Sequence, residues 1–102
     1  MKKKLATLNL SIENEVCMLA GELTRHTVPG LSIRKIQQSL FADKTVFDFK
    51  KVEKVDTAGL AWVCSLLEQA KSNQCQLSLI NFPIQLTKLA KLSGVDGFLP
   101  TT

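Results

Sequence analysis

Two kinds of apolar spacing alternate along this chain of 102 residues, and their order constrains the fold more than any single residue does. Near the start, Leu8, Leu10 and Ile12 alternate with polar residues, which is the period of a half-buried strand. After a short turn, the apolar run 16–20 predicts a second strand, which ends with residues 21–23. Two strands so close in sequence predict a β-hairpin.

Downstream of the hairpin, predicted helices alternate with strands. β-Branched and aromatic residues predict a third strand at 45–49, and a similar apolar run predicts a fourth at 76–80. Apolar residues three or four apart predict helices around these strands. The first predicted helix is capped by Thr27 and has Ile33, Ile36 and Leu40 on one face. The second runs from the Asp56-Thr57 pair to about Ser72, and the third runs from Pro83 to Gly94, where it ends.

A hairpin followed by alternating helices and strands predicts the α/β class. We expect a mixed β-sheet, in which the N-terminal hairpin is antiparallel and the later strands are parallel because crossover connections are right-handed. Helices should flank this sheet. The length suits one domain over 1–102, with a basic tail at 1–4. Asp56 and Thr57 would then follow the carboxyl end of a parallel strand, where such sheets usually bind ligands and partners.

The composition excludes several functional classes. The formal net charge is +4, and Lys2–Lys4 supply most of it, so the body has no basic surface of the kind that binds nucleic acids. No segment approaches the ~18 consecutive apolar residues of a membrane span. The N-terminus also lacks the apolar stretch of a signal peptide. Three cysteines, widely spaced among apolar neighbours, are typical of reduced thiols in a cytosolic protein: Cys17, Cys64 and Cys75.

Catalytic and metal sites are not expected. His26 is the only histidine, so the sequence supports neither a Cys/His metal set nor a nucleophilic triad. Glu22, Asp48 and Asp56 could meet at strand ends, but carboxylates without a metal or histidine partner are weak grounds for catalysis. No glycine-rich phosphate loop is present. We therefore predict a protein that is not an enzyme and has no metal or cofactor.

The segment Val55–Leu60 places a hydroxyl directly after a carboxylate at a predicted helix start. The first turn of a helix presents unpaired N–H groups and a partial positive charge. The Thr57 hydroxyl could cap these donors, which typically stabilises a helix by ~1 kcal/mol. The same position favours a phosphate, although the charge of Asp56 would oppose one. Capping, phosphate acceptance and partner docking therefore stay open for Thr57.

The helix after this segment is apolar on most of its sides. At ~100° per residue, its core-facing arc is predicted to hold Leu60, Val63, Cys64 and Leu67. Trp62 and Leu66 fall outside this arc, one helical turn apart. An exposed apolar pair that includes a tryptophan is typical of a binding surface. The alternative is that a neighbouring element covers Trp62, for example Phe98-Leu99.

Four segments, in order and over nearly the whole chain, resemble a STAS domain, the family of sulphate-transporter and anti-sigma-factor-antagonist modules. They are Gly21–Leu23, Phe47–Phe49, Val55–Leu60 and Leu89–Val95. The resemblance implies a sheet flanked by helices, as the spacing also predicts. It further implies that Thr57, directly after the motif aspartate, is the phosphoacceptor or docking hydroxyl of the family.

Two branches of the family compete. Anti-sigma-factor antagonists usually carry an aspartate where this chain has Thr24 and a serine where it has Thr57. The segments 56–61, 87–92 and 98–100 are more similar to the small STAS subunit of the Gram-negative phospholipid ABC transporter. That resemblance implies a cytoplasmic subunit, peripheral to the inner membrane, which binds the ATPase of the transporter and, through it, the permease complex.

From the resemblance and the helix pattern together, we expect a docking face around Thr57. The other residues expected on this face are Asp56, Ala58, Gly59, Trp62 and Leu66. Such a subunit would support the assembly or activity of a transporter that maintains outer-membrane lipid asymmetry. The alternative is an anti-sigma-factor antagonist that is regulated by phosphorylation of Thr57.

Overall fold

The computed structural model describes residues 7–13, 15–31 and 44–95. Within these ranges the strands are β1 Leu8–Glu13, β2 Val16–Leu23, β3 Lys44–Val55 and β4 Gln76–Ile80. The helices are α1 Thr57–Ser72 and α2 Ile84–Leu92, with a 3₁₀ helix at Val28–Gly30. Three predicted features lie outside the described residues: the helix with Ile33, Ile36 and Leu40, the tail at Lys2–Lys4, and the Phe98-Leu99 pair.

The strands form one mixed sheet in the order β1-β2-β3-β4. β1 and β2 are antiparallel and pair Leu10 with Leu19, whereas β2, β3 and β4 run parallel. Directly opposed residues lie on the same face of a sheet, so Leu10 joins Leu19 on the side that faces the core. This topology confirms the predicted α/β class, with its N-terminal hairpin and its parallel later strands.

β3 is longer than the sequence pattern predicted, because it continues from the apolar segment 45–49 through the charged segment 50–54. This second half pairs with the end of β2, and the register shifts twice along the way. The final pair joins Leu23 with Val55. The two strands therefore end side by side, which brings the loop after β2 next to Asp56.

α2 begins and ends where the sequence predicts. Pro83 is its N-cap residue, and Leu86 and Ala90 are buried while Lys88 is exposed. At the other end, Gly94 has a φ of 72° and the N–H of Val95 donates to the carbonyl of Ala90 at 2.9 Å. Glycine suits this left-handed position, which closes the last carbonyls of a helix.

One apolar cluster joins the sheet to both helices. Its buried members are Cys17, Leu19, Leu23, Phe47, Phe49, Leu60, Trp62, Val63, Leu66, Leu79, Leu86 and Ala90. Burial of this apolar surface is the main stabilising contribution to a fold of this kind. Asp48 is buried, and its Oδ1 accepts a hydrogen bond from Asn81 Nδ2 at 2.9 Å. This bond holds the loop that connects β4 to α2.

Candidate functional site

Asp56 lies between β3 and α1, and its carboxylate joins two loops. Its Oδ1 accepts a hydrogen bond from the N–H of Gly59 at 3.1 Å, which caps α1. Its Oδ2 accepts from the N–H of Arg25 at 3.0 Å, which ties down the loop after β2. Asp56 has an extended backbone and Thr57 is the first helical residue. Of the three roles left open for the Thr57 hydroxyl, capping therefore does not apply, because Asp56 caps the helix.

Hydrogen bonding also keeps Asp56 ionised. Partial desolvation raises the pKa of its carboxyl, but the N–H groups of Arg25, Gly59 and Ala58, with the charge of Arg25, lower it by more. The resulting pKa lies below the ordinary aspartate value. A carboxylate charge therefore stands beside Thr57 at neutral pH, where it would repel a phosphate on that residue.

Gly59 allows α1 to approach the end of β2 closely. A Cβ atom at this position would overlap the carbonyl oxygen of Leu23 and lie 3.1 Å from the Leu23 Cγ atom. A larger residue would move the first turn of α1 away from β2 and lengthen the hydrogen bonds that the Asp56 carboxylate accepts. Gly59 is buried, so the structure gives it a packing role rather than the exposed position that the expected docking face required.

The loop after β2 is built by Thr24 and Thr27. Thr24 is buried, and its hydroxyl donates to Glu22 Oε2 at 3.3 Å and accepts from the N–H of His26 at 3.3 Å. The Thr27 hydroxyl donates to the carbonyl of Glu22 at 2.8 Å instead of capping the 3₁₀ helix. Threonine hydroxyls often bind nearby backbone groups in this way. The sequence did not predict the contact of Arg25, because its backbone N–H makes the bond.

Thr57 is exposed at the N-terminus of α1. Its hydroxyl has no hydrogen bond to the part of the chain that the structure describes. Ala58, the next residue, is half-buried. The predicted location of Thr57, at the carboxyl end of a parallel strand and open to other molecules, is confirmed by its position and exposure. Its binding role stays a prediction.

Trp62 and Leu66 do not lie on the surface. Trp62 is 3% exposed and Leu66 is fully buried, and both belong to the core cluster. The indole packs against Phe47 of β3, at the centre of the sheet. The predicted exposure of these two residues is therefore wrong, and neither is available to a partner in this structure. Of the two readings of Trp62, coverage by a neighbouring element is the correct one, although the element is β3.

The error arose from the rotational phase of α1. Apolar residues occur around most of this helix, so they do not define which side faces the core. The polar residues do define it, because they cluster on the opposite side and recur at helical spacing. The exposed residues of α1 are Thr57, Ala61, Ser65, Glu68, Lys71 and Ser72, and all of them except Ala61 are polar. Cys64 and Leu67, which were expected in the core, are only half-buried along the edge of this side.

The described ranges offer few other groups that could bind a metal or take part in catalysis. In this part of the chain, no group of three or more His, Cys, Asp or Glu residues is placed to hold a metal ion. Asp48 accepts from Asn81, Asp56 caps α1 and Glu22 accepts from the Thr24 hydroxyl, so all three carboxylates considered above make structural hydrogen bonds. No helix of the described segments is long and apolar enough to cross a membrane.

Comparison with known proteins identifies the family. A family model described as "Mlab, STAS domain" matches residues 7–101. The chain belongs to this MlaB-like STAS family. The match confirms the resemblance to STAS domains that was drawn from the four sequence segments. It also confirms the similarity to the MlaB branch that was drawn from the segments 56–61, 87–92 and 98–100. STAS domains are generally regulatory or interaction domains.

Solved structures support the same fold. The overall structure of SLC26A9 has a TM-score of 0.64 and 18% identity, over 83% of this chain and 17% of that chain. The crystal structure of Mglu has a TM-score of 0.53 and 8% identity, over 72% of this chain and 19% of that chain. The STAS chain thus spans less than a fifth of either protein. A search of curated proteins found no match.

Proposed function

We propose that this chain is a non-enzymatic subunit that binds the ATPase of a phospholipid ABC transporter and supports its assembly or activity. In this proposal it is cytoplasmic and reaches the inner membrane only through the ATPase and the permease complex. The observation that carries the proposal is the exposed Thr57 hydroxyl, which has no hydrogen-bond partner in the described part of the chain. The resemblance to STAS domains assigns the docking hydroxyl to this position. A partner can therefore bind this hydroxyl without breaking an internal bond.

The surface proposed for docking consists of four outward side chains in the N-terminal part of α1. We call Thr57, Ala61, Ser65 and Glu68 the Thr57 surface. Three of these four side chains are small, so a partner helix could pack closely against α1, since the distance between packed helices depends on the side chains at the contact. This surface replaces the docking face that was expected to include Trp62 and Leu66.

The base of this surface is held in place by internal bonds. Asp56 caps α1 and binds the N–H of Arg25, and Gly59 packs on Leu23. A site that is ordered before binding loses less conformational entropy when the complex forms. This rigidity supports a docking role for Thr57, because the position of its hydroxyl does not depend on a mobile loop.

A co-purification experiment tests the proposal. The tagged ATPase subunit from the same organism is co-expressed with the wild-type chain, with Thr57→Glu, and with Ala61→Arg. Both variants place a large or charged group on the exposed side of α1, so we expect them to stay folded and to be lost from the purified complex. Ser11→Arg is the matched control, because Ser11 is exposed on β1 and should tolerate the change.

Thr57→Ser tests the hydroxyl itself, because it keeps the hydroxyl and removes only a methyl group. We expect this variant to co-purify with the ATPase. Circular dichroism must show that every variant retains the secondary structure of the wild type. Normal recovery of the ATPase with both Thr57→Glu and Ala61→Arg would overturn the proposal.

The exposure of Thr57 also favours a second candidate, an anti-sigma-factor antagonist regulated by phosphorylation. An exposed hydroxyl is open to a kinase, and phosphate at the first turn of α1 would be attracted by the helix dipole and repelled by Asp56. Incubation with a histidine-kinase-like anti-sigma factor and ATP would discriminate the two. A mass increase on Thr57, together with no recovery of the ATPase, would favour this candidate.

A further inference from the structure

The second helix carries an apolar ridge that the core does not use. Ile84 is 66% exposed and Leu92 is 85% exposed, and the exposed Lys88 lies between them. The three residues are four positions apart, so they form one straight ridge along α2. We call Ile84, Lys88 and Leu92 the Ile84 ridge. Leu86 and Ala90 on the opposite side anchor the helix in the core, and neither Ile84 nor Leu92 belongs to the buried core cluster.

The charge on this helix has one sign. Its only ionisable side chains are Lys88 and Lys91, both exposed, and the segment 84–92 contains no aspartate or glutamate. A surface that buries the ridge must therefore place apolar groups over Ile84 and Leu92 and carboxylates near the two lysines. Complementary charge of this kind favours the correct partner and suppresses partners with like charge.

The shape of the ridge favours a protein helix over a lipid bilayer. Membrane-surface helices bury a broad apolar face in the acyl boundary. The Ile84 ridge is one residue wide, about 12 Å long at ~1.5 Å per residue, and is interrupted by a lysine. A row of residues at i, i+4 and i+8 instead matches the ridges that pack into the groove of another helix.

We infer that the Ile84 ridge is an interaction surface for an amphipathic helix with acidic residues on the ATPase subunit. This inference rests on the proposed function, because it adds a second contact with the same partner. The helix would cover Ile84 and Leu92 and place carboxylates beside Lys88 and Lys91. The ridge thus supplies the large apolar anchors that the small side chains of the Thr57 surface lack.

Binding of the purified ATPase subunit to immobilised variants tests the inference. We expect Ile84→Asp and Leu92→Asp each to weaken Kd about tenfold or more, since truncation of an interface anchor has effects of this size. Both side chains are exposed, so the variants should fold. Ile12→Asp is the matched control, because Ile12 is an exposed isoleucine on β1 at 52% exposure.

The charges give a second readout. Raising the salt concentration should weaken binding of the wild type, because exposed charges are screened. The double variant Lys88→Glu with Lys91→Glu should bind less tightly and lose or reverse this salt dependence. Unchanged Kd and salt dependence in all of these ridge variants would overturn the inference.

Thr57→Glu is measured in parallel to separate the two proposals. Loss of binding in Thr57→Glu with normal binding of the ridge variants overturns the ridge and leaves the proposed function in place. Wild-type binding by every variant overturns both. Sedimentation with vesicles of anionic phosphatidylglycerol tests whether the ridge binds a membrane surface instead. If the wild type binds the vesicles and Leu92→Asp does not, the assignment to a protein helix is overturned.

Discussion

The indole ring of Trp62 meets the ring of Phe47 edge-on, with 6.2 Å between the ring centroids and an interplanar angle of 66°. Such edge-to-face pairs are favourable because the positive edge of one ring faces the negative face of the other. The contact joins α1 to the first half of β3. It makes Trp62 a core residue, although its Nε1 is buried and has no hydrogen-bond partner in the described part of the chain.

Trp62→Ala should lower the free energy of unfolding by about 3–5 kcal/mol, because it removes a large side chain from the core and leaves a cavity. Trp62→Phe should lower it clearly less, since phenylalanine keeps a ring against Phe47 and the lost N–H has no partner. Urea unfolding followed by circular dichroism measures both. A Trp62→Ala variant as stable as the wild type would place the indole outside the core.

Asp56 should make stability depend on pH. At neutral pH, Asp56→Ala should cost about 1–2 kcal/mol, as loss of a helix N-cap does. The folded pKa of Asp56 lies below its unfolded value of about 3.9, so its ionic contribution is fully present well above pH 4 and is lost as the pH falls through the folded pKa. The difference in unfolding free energy between wild type and Asp56→Asn should therefore be constant from pH 6 to 8 and shrink below about pH 4. A difference that grows in acid would contradict the hydrogen-bonded carboxylate.

Gly59→Ala should destabilise the fold by about 1–3 kcal/mol, the usual cost of an overpacked site, because the new Cβ overlaps the carbonyl of Leu23. On helix propensity alone the change would stabilise α1 by about 1 kcal/mol, so the sign of the effect tests the close approach. Gly30→Ala is the control, since no atom lies within 4 Å of a Cβ there. Thermal melting of the two variants should show a lower Tm than the wild type only for Gly59→Ala.

The thiols should differ in reactivity. Burial raises the pKa of Cys17 to about 12, and Cys17 has no exposed surface. Cys64 is half-buried, and burial raises its pKa as well. Because only the thiolate reacts, an aromatic disulfide reagent at pH 8 should label Cys64 before Cys17 in the folded protein, and both rapidly in urea. Peptide mapping by mass spectrometry measures the order, and Cys17 labelled first would contradict the packing of β2.

Much of the fold followed from local patterns. The alternation at Leu8 and Leu10 predicted the hairpin, and Pro83 and Gly94 predicted the limits of α2, because proline and glycine restrict the backbone directly. The charged second half of β3 could not be predicted from these patterns. Its pairing with the end of β2 is made by backbone groups, which side-chain patterns do not reveal.

The candidate site could be located but not oriented from the sequence. The Asp56-Thr57 pair between an apolar strand and a helix identified its place in the chain. Its orientation was not clear, because the many apolar residues of α1 concealed which side faces the sheet. Trp62 and Leu66 were therefore predicted on the wrong side. The spacing of Ser65 and Glu68 held the correct phase, because polar side chains are confined to the solvent side more strictly than apolar ones are confined to the core.

The sequence by itself therefore determined the order of strands and helices, the STAS family and the position of Thr57 after the motif aspartate. These features depend on residue identity and on spacing along the chain. Only the tertiary structure decided that Asp56 caps α1 and binds Arg25, that Gly59 touches Leu23, and which side of α1 faces the sheet. Each of these depends on how close two distant segments come, and that distance is set by packing of the whole core.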